Sequence, residues 1–388
     1  MVTTASVVNA PGPAAPSTEQ RSPEAGRCVR LHSIDGLRFV AAIGVVLYHF
    51  MVRWSTVWGE HPGERFPTTG RVVMYFALAP ELFFVVSGFV VLWTAWGRSV
   101  PQVVASRLAR VYPAYWAALA LTSVLLLVIW PQGKRISLGE VAVNVTLMQE
   151  AVGVRNVDGV YWTLWTELRF YLLIAAFTAI GITRRRVIAF AAAWPPVALV
   201  VDALGWGLGS TLLISRYAPF FAGGMLLYLI YRDGHGRLLW TLVGLNTGLA
   251  LYTTVPAQLR TLREVTAFEP SPLLLGAIVV GLFAAVAACA LSRLRDLGWP
   301  YLAVLGALTY PIYLIHQFWG WWVISLLEPV LPTAVTLAAA VLVSLVLACV
   351  IHYGVERPFS GRARRWLERV LSRDRGLRPA DPVAASRP

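Results

Sequence analysis

Charge is scarce in this sequence. Asp, Glu, Lys and Arg make up 14% of its 388 residues, where a water-facing domain carries about 25%. So little charge cannot cover a globular surface in water. Cysteine is scarcer still: Cys28, Cys289 and Cys349 are too few and too scattered for a disulfide framework. With no Cys/His pairs at zinc spacing, no metal site and no bound cofactor are expected. Lysine is nearly missing, Lys134 being the one lysine among 33 basic residues, which reads as a coding bias toward arginine. The net charge of +13 raises the question of nucleic acid. Its arginines, however, fall in short stretches between apolar runs, the positive-inside pattern of a membrane protein. No nucleic-acid partner is expected.

What the sequence has is apolar residues, 57% of the chain. Runs of about 20 residues indicate helices that cross a bilayer, because a helix satisfies its own backbone hydrogen bonds in lipid. The expected fold is all-α, a polytopic membrane bundle with about ten spans near 34–50, 71–94, 112–130, 162–182, 187–204, 212–231, 238–254, 273–291, 299–324 and 333–353. With the N-terminus in the cytosol, the predominantly basic stretches (Arg98 to Arg110, Arg184 to Arg186, Arg232 to Arg237, Arg293 and Arg295, and the C-terminal tail) all fall on the cytosolic side. The opposite connections are mixed in sign. Both termini are therefore expected inside, at the cell membrane. Residues 1–30, rich in Pro, Ala, Ser and Thr, read as a disordered tail rather than a cleaved signal peptide. Residues 31–360 form the membrane domain. Residues 361–388 form a basic tail with a short amphipathic helix at the membrane surface.

Several ionisable residues fall inside these spans, where they are costly and usually face a cavity. The first span, "GLRFVAAIGVVLYHF", carries Arg38 and His49. Eleven residues return them to within roughly 20° of one helix face, about 16 Å apart along the axis. Glu81 and Ser87 lie in the second span. Ser87-Gly88 reads as a small-residue helix contact. The fourth span carries Glu167 with Tyr171 one turn on, and Arg169, expected to neutralise Glu81 or another carboxylate. Tyr310, Tyr313, His316 and Gln317 form a polar stripe in the ninth span. By helical rise, His49, Glu167 and His316 fall in the outer half of the membrane, with Arg38, Arg107 and Arg110 at the cytosolic side. The expectation is one cavity with a basic inner mouth and a His/Glu cluster deeper in.

These motifs resemble the acyltransferase 3 family of integral-membrane O-acyltransferases. The basic residue and His of its first helix match Arg38 and His49. Phe83 to Val91, "FFVVSGFVV", is similar to its "FFxLSGF" segment, and "RLARVYPAYW" to its "RxxRIYP" loop. "WTLWTELRFY" looks like "WSLxxExxFY", giving Glu167 and Tyr171. "LGALTYPIYLIH" resembles "LGxxSYxIYLxH", ending in His316, and "VERPF" matches its usual end. The resemblance implies an enzyme that moves an acyl group from coenzyme A to a hydroxyl (EC 2.3.1.-), with acyl-CoA as co-substrate and the bilayer as partner. On that resemblance, Arg38 helps bind the donor and His49 is catalytic. Arg107 and Arg110 suit the phosphates of the donor, and the rise from Arg38 to His49 matches a pantetheine arm. Glu167 or Glu81 is expected to orient His49 as a general base, and His316, Tyr310 or Tyr313 to hold the oxyanion. Tyr171 is expected in the substrate site. The implied acceptors are sugar hydroxyls, either on a glycosylated natural product such as a macrolide antibiotic or on a cell-envelope glycan. The stand-alone length mildly favours antibiotic biosynthesis. A transporter of lipid-linked saccharides or small molecules is the reading from another class, disfavoured by the six ordered motifs and the lack of an inverted repeat.

Overall fold

The computed structural model describes residues 30–373. The expected N-terminal tail and the end of the basic C-terminal tail lie outside the described residues. Among these there is no strand. Eleven longer helices carry the fold: α1 (His32–Met51), α2 (Ala79–Ala95), α3 (Val100–Val124), α4 (Trp162–Ala179), α5 (Arg184–Ala203), α6 (Ala218–Asp233), α7 (Arg237–Val265), α8 (Pro272–Leu291), α9 (Pro300–Leu327), α10 (Thr333–Ile351) and α11 (Arg357–Arg373). Proline sits in the first turn of α2, α3, α6, α8 and α9, where its missing N–H costs nothing and its fixed φ suits the helix.

Eight helical stretches are long and apolar enough to cross a membrane. They correspond to eight of the ten expected spans. The other two, α4 and α6, are helical but fall short of that standard. Glu167 and Arg169 dilute the hydropathy of α4, and α6 has only 16 residues. Both are tolerated because protein surrounds them. Every residue of α6 from Ala218 to Ile230 is buried, enclosed by α2, α5, α7 and α8. The C-terminal amphipathic helix is present as α11, which packs on α3 and runs through residue 360 without a break.

Four glycine contacts, in two helix pairs, set the geometry. Along α1 and α9, a Cβ on Gly320 would lie 1.9 Å from the Phe50 ring, and one on Gly306 would lie 2.5 Å from Asp35. Only glycine admits these approaches, which hold α1 and α9 together at both ends. Between α2 and α6, Gly88 faces the Phe221 carbonyl and Gly224 the Val85 carbonyl, each at about 2 Å from where a Cβ would stand. The small-residue contact expected at Ser87-Gly88 is this crossing. Backbone cannot swing aside as a side chain can. Gly224→Ala is therefore expected to lower the apparent melting temperature in detergent, through a strain of about 1–3 kcal/mol. Gly244→Ala, in open space on α7, is expected to leave it unchanged or raise it slightly.

The chain between α3 and α4 forms a cap. Ser137 and Glu140 cap its short helix (Leu138–Asn144) reciprocally. Asn144 accepts from the Val157 N–H, and Lys134 donates to the Asn156 carbonyl at 2.6 Å. The cap ends in a helical turn, Gly159–Tyr161, which dips beneath the bundle rim to meet α9. Asp158 opens that turn, accepting from the Val160 N–H at 3.2 Å, and its second oxygen is buried without a partner. Burial pushes its carboxyl from the ordinary 3.8 up to about 7, with the Val160 N–H and Lys134 opposing in part. A raised acid pKa gives stability that is present below the unfolded value and lost as pH rises through the folded one. Wild-type protein is thus expected to lose thermal stability between about pH 4 and 7. Asp158→Asn, keeping the acceptor oxygen, should show a flatter profile and the higher melting temperature at pH 8.

Candidate active site

The α1–α9 packing brings two imidazoles together. His316 Nε2 lies 3.1 Å from His49 Nδ1, with the rings edge to face. Both are at least nine-tenths buried. The proton positions follow from their neighbours. His316 Nδ1 lies 3.1 Å from the Ile312 carbonyl and 3.0 Å from the Tyr313 carbonyl. A carbonyl only accepts, so Nδ1 carries the hydrogen and, in a neutral ring, Nε2 is an acceptor. His49 Nδ1 must then donate, shared between His316 Nε2 and the Val45 carbonyl at 2.9 Å. This leaves His49 Nε2 as a lone pair. Trp321 Nε1 donates to the His49 carbonyl at 3.0 Å and fixes the backbone there.

His49 lines a cavity of about 270 Å³ with Tyr48, Arg53, Pro80, Val160, Trp162, Arg216, Tyr217, Gln258, Tyr313 and Gln317. Arg38 lines a second cavity, of about 150 Å³, with Arg107, Arg110, Ser87, Glu167, Tyr171, Tyr310 and Tyr313. The single cavity expected from the sequence is thus two. They abut at Pro80 and Tyr313, which wall both.

In the arginine cavity several polar groups have partners within the protein. Arg38 lies 3.8 Å from Asp35, one turn back on α1. Arg107 donates to Thr94 at 2.7 Å and lies over the Tyr171 ring. Arg110 lies over the Tyr310 ring and pairs with Glu356, whose other oxygen is 2.9 Å from His352 Nδ1. Ser87 donates to Glu167 at 2.5 Å.

Four expectations change. Glu167 belongs with the arginines and not with His49. The cap enters the bundle at the level of Tyr313, where the Tyr313 hydroxyl donates to the Val160 carbonyl at 3.2 Å and lies 3.0 Å from Thr163 Oγ1. Glu167 lies on the other side of Tyr313, lining the arginine cavity. Glu81 does not orient His49 either: its Oε1 accepts from Gln258 at 3.1 Å, and the partner that His49 finds is His316. Arg169 does not reach Glu81. It donates to the Thr211 carbonyl and to Thr166, the carboxylate acting on it is Glu150, the other alternative of that expectation, and the cation acting on Glu81 is Arg216. The three oxyanion candidates are already engaged. His316 Nδ1–H faces backbone carbonyls, Tyr313 donates to Val160, and Tyr310 donates to the Val111 carbonyl at 3.0 Å.

The sequence reading also missed residues. Arg53 passed as a loop charge. Gln258 lies beyond the end assigned to the seventh span, since α7 runs on to Val265. Arg216 fell inside an expected span, and an arginine placed in lipid was the signal that marks it.

Two imidazoles stand at one end of a pair of joined cavities and three arginines at the other. The family model for acyltransferase 3, described as an acyltransferase domain, matches residues 31–353. The chain belongs to that family, whose members are integral membrane proteins, and it is a membrane acyltransferase. No curated protein and no solved structure matches it.

Proposed function

We propose that the protein transfers an acyl group from acyl-CoA to a hydroxyl of a sugar, carried on a glycan or on a natural product such as a macrolide. The observation that supports this most is the His49–His316 pair, set against a cavity that meets the arginine cavity at Tyr313. Arg38, Arg107 and Arg110 hold the donor phosphates through charge-assisted hydrogen bonds, with Tyr171 and Tyr310 as the faces against which two of these guanidiniums are packed. The pantetheine arm runs toward Tyr313 and delivers the thioester to the His49 cavity. His49 Nε2 takes the proton of the acceptor hydroxyl as its oxygen attacks the thioester carbonyl. The new C–O bond forms, the C–S bond breaks, and the departing thiolate recovers the proton from His49. The resulting imidazolium keeps its Nδ1–H on His316 Nε2, so His316 is a positioning residue and fills the place usually given to a carboxylate. Glu167 and Glu356 fix Ser87 and Arg110, and Glu81 braces the wall behind Arg216.

Membranes holding the protein, incubated with labelled acetyl-, propionyl- or isovaleryl-CoA and either glycosylated macrolides or envelope extracts, test this reading. Label is expected in an acceptor, and in none when His49 is replaced. Transfer from a donor other than a CoA thioester, with CoA thioesters inert, overturns the donor assignment.

A further inference from the structure

Two arginines in the His49 cavity have no part in the transfer step. Arg53 follows the end of α1 and Arg216 precedes α6, and both line the cavity. Other arginines in the connections at this end are tied up in ion pairs: Arg65 with Glu60 and Glu328 at 2.7 and 2.6 Å, Arg155 with Glu140 at 2.7 Å, and Arg263 with Glu269 at 3.0 Å. Among the described residues no carboxylate lies within 4.0 Å of the Arg53 or Arg216 side-chain nitrogens. Arg53 interacts with the Tyr48 hydroxyl. Arg216 stands over the Tyr217 ring at 5.2 Å, with a buried Nε that has no partner. The nearest acids sit behind the wall. Glu81 is 1% exposed, held by Gln258 and acted on by Arg216 only from beyond ion-pair distance, and Asp158 is fully buried. The cavity therefore presents guanidinium without carboxylate. Half-buried and without a carboxylate in ion-pair reach, such groups favour an anion of planar or tetrahedral oxygens.

The remaining lining suits a sugar ring. Trp162 and Tyr217 lie 5.5 Å apart and tilted by 33°, giving an apolar face. Gln317 Oε1 is buried without a partner, an acceptor available to a ligand hydroxyl.

We propose that the acceptor is an acidic sugar, with its carboxylate or phosphate held by Arg53 and Arg216 and its ring laid against Trp162 and Tyr217, so that a hydroxyl meets His49. The proposal deepens the transfer reading and rests on it for the role of His49. A neutral or amine-bearing sugar leaves the two guanidiniums unmatched.

Binding tests it without turnover. Purified protein in detergent is titrated with methyl glucoside, methyl glucuronide and glucose 1-phosphate, and with the galactose series of each, following heat of binding. At least one anionic sugar is expected to bind about 10-fold or more tightly than its neutral counterpart, as one charge-assisted contact supplies. Whether the glucuronide or the phosphate leads identifies the anion. Arg53→Gln and Arg216→Gln are each expected to shrink that preference, and Arg53→Lys and Arg216→Lys to keep part of it with the fold intact. Equal or undetectable binding of all the sugars overturns the proposal, as does a preference that survives the double glutamine variant. If the anionic preference holds but labelled acyl-CoA transfers nothing, the transfer reading fails and the anion site stands.

Discussion

Replacing His49 by glutamine is expected to abolish acyl transfer, by about 10²–10⁴-fold, the range supplied by a positioned general base. The change keeps the side chain near its original volume, so the folded protein should still elute as one species in detergent. His316→Gln should behave differently. It touches the donor proton of His49 and not the substrate, so kcat should fall about 10-fold or more while both KM values stay near wild type. Label incorporation under saturating donor and acceptor measures both. Normal turnover by the His49 variant would place the base elsewhere.

The second large effect concerns the other cavity. Arg38→Gln, or Arg107→Gln, should raise the KM for acyl-CoA by about 10–100-fold, the loss of one charge-assisted hydrogen bond of roughly 1.5–3 kcal/mol. Lysine at either position should recover only part of it, since an ammonium cannot match the bidentate fork. A donor without the nucleotide supplies the control. An acyl-pantetheine thioester has no 3′-phosphate or pyrophosphate, so its KM should be high in wild type and insensitive to the arginine substitutions. Equal losses for both donors would mean that these arginines hold the fold and not the phosphates. Arg110 makes a poorer test, because its pairing with buried Glu356 means that its loss also strands a carboxylate.

The sequence carried the helices well, because each long apolar run has one workable structure in lipid. Spacing alone put Arg38 and His49 on one helix face, and the structure lines two abutting cavities with them. The sequence failed where position depends on how a non-helical segment lies. The place of Glu167 among the arginines was not legible because nothing local says how Gly159–Tyr161 meets α9. The His49–His316 contact depends on Gly306 and Gly320 letting α9 close on α1, a tertiary fact written in residues that carry no chemistry. Arg53 and Arg216 are 163 positions apart in sequence and meet one cavity only once α1 and α6 are placed.

Tyr313 and Pro80 stand as a partition with a different ligand bay on each face. On the proposed reading neither substrate would need to traverse the bundle: the carrier would stay docked at its own end while only the small acyl fragment changes hands.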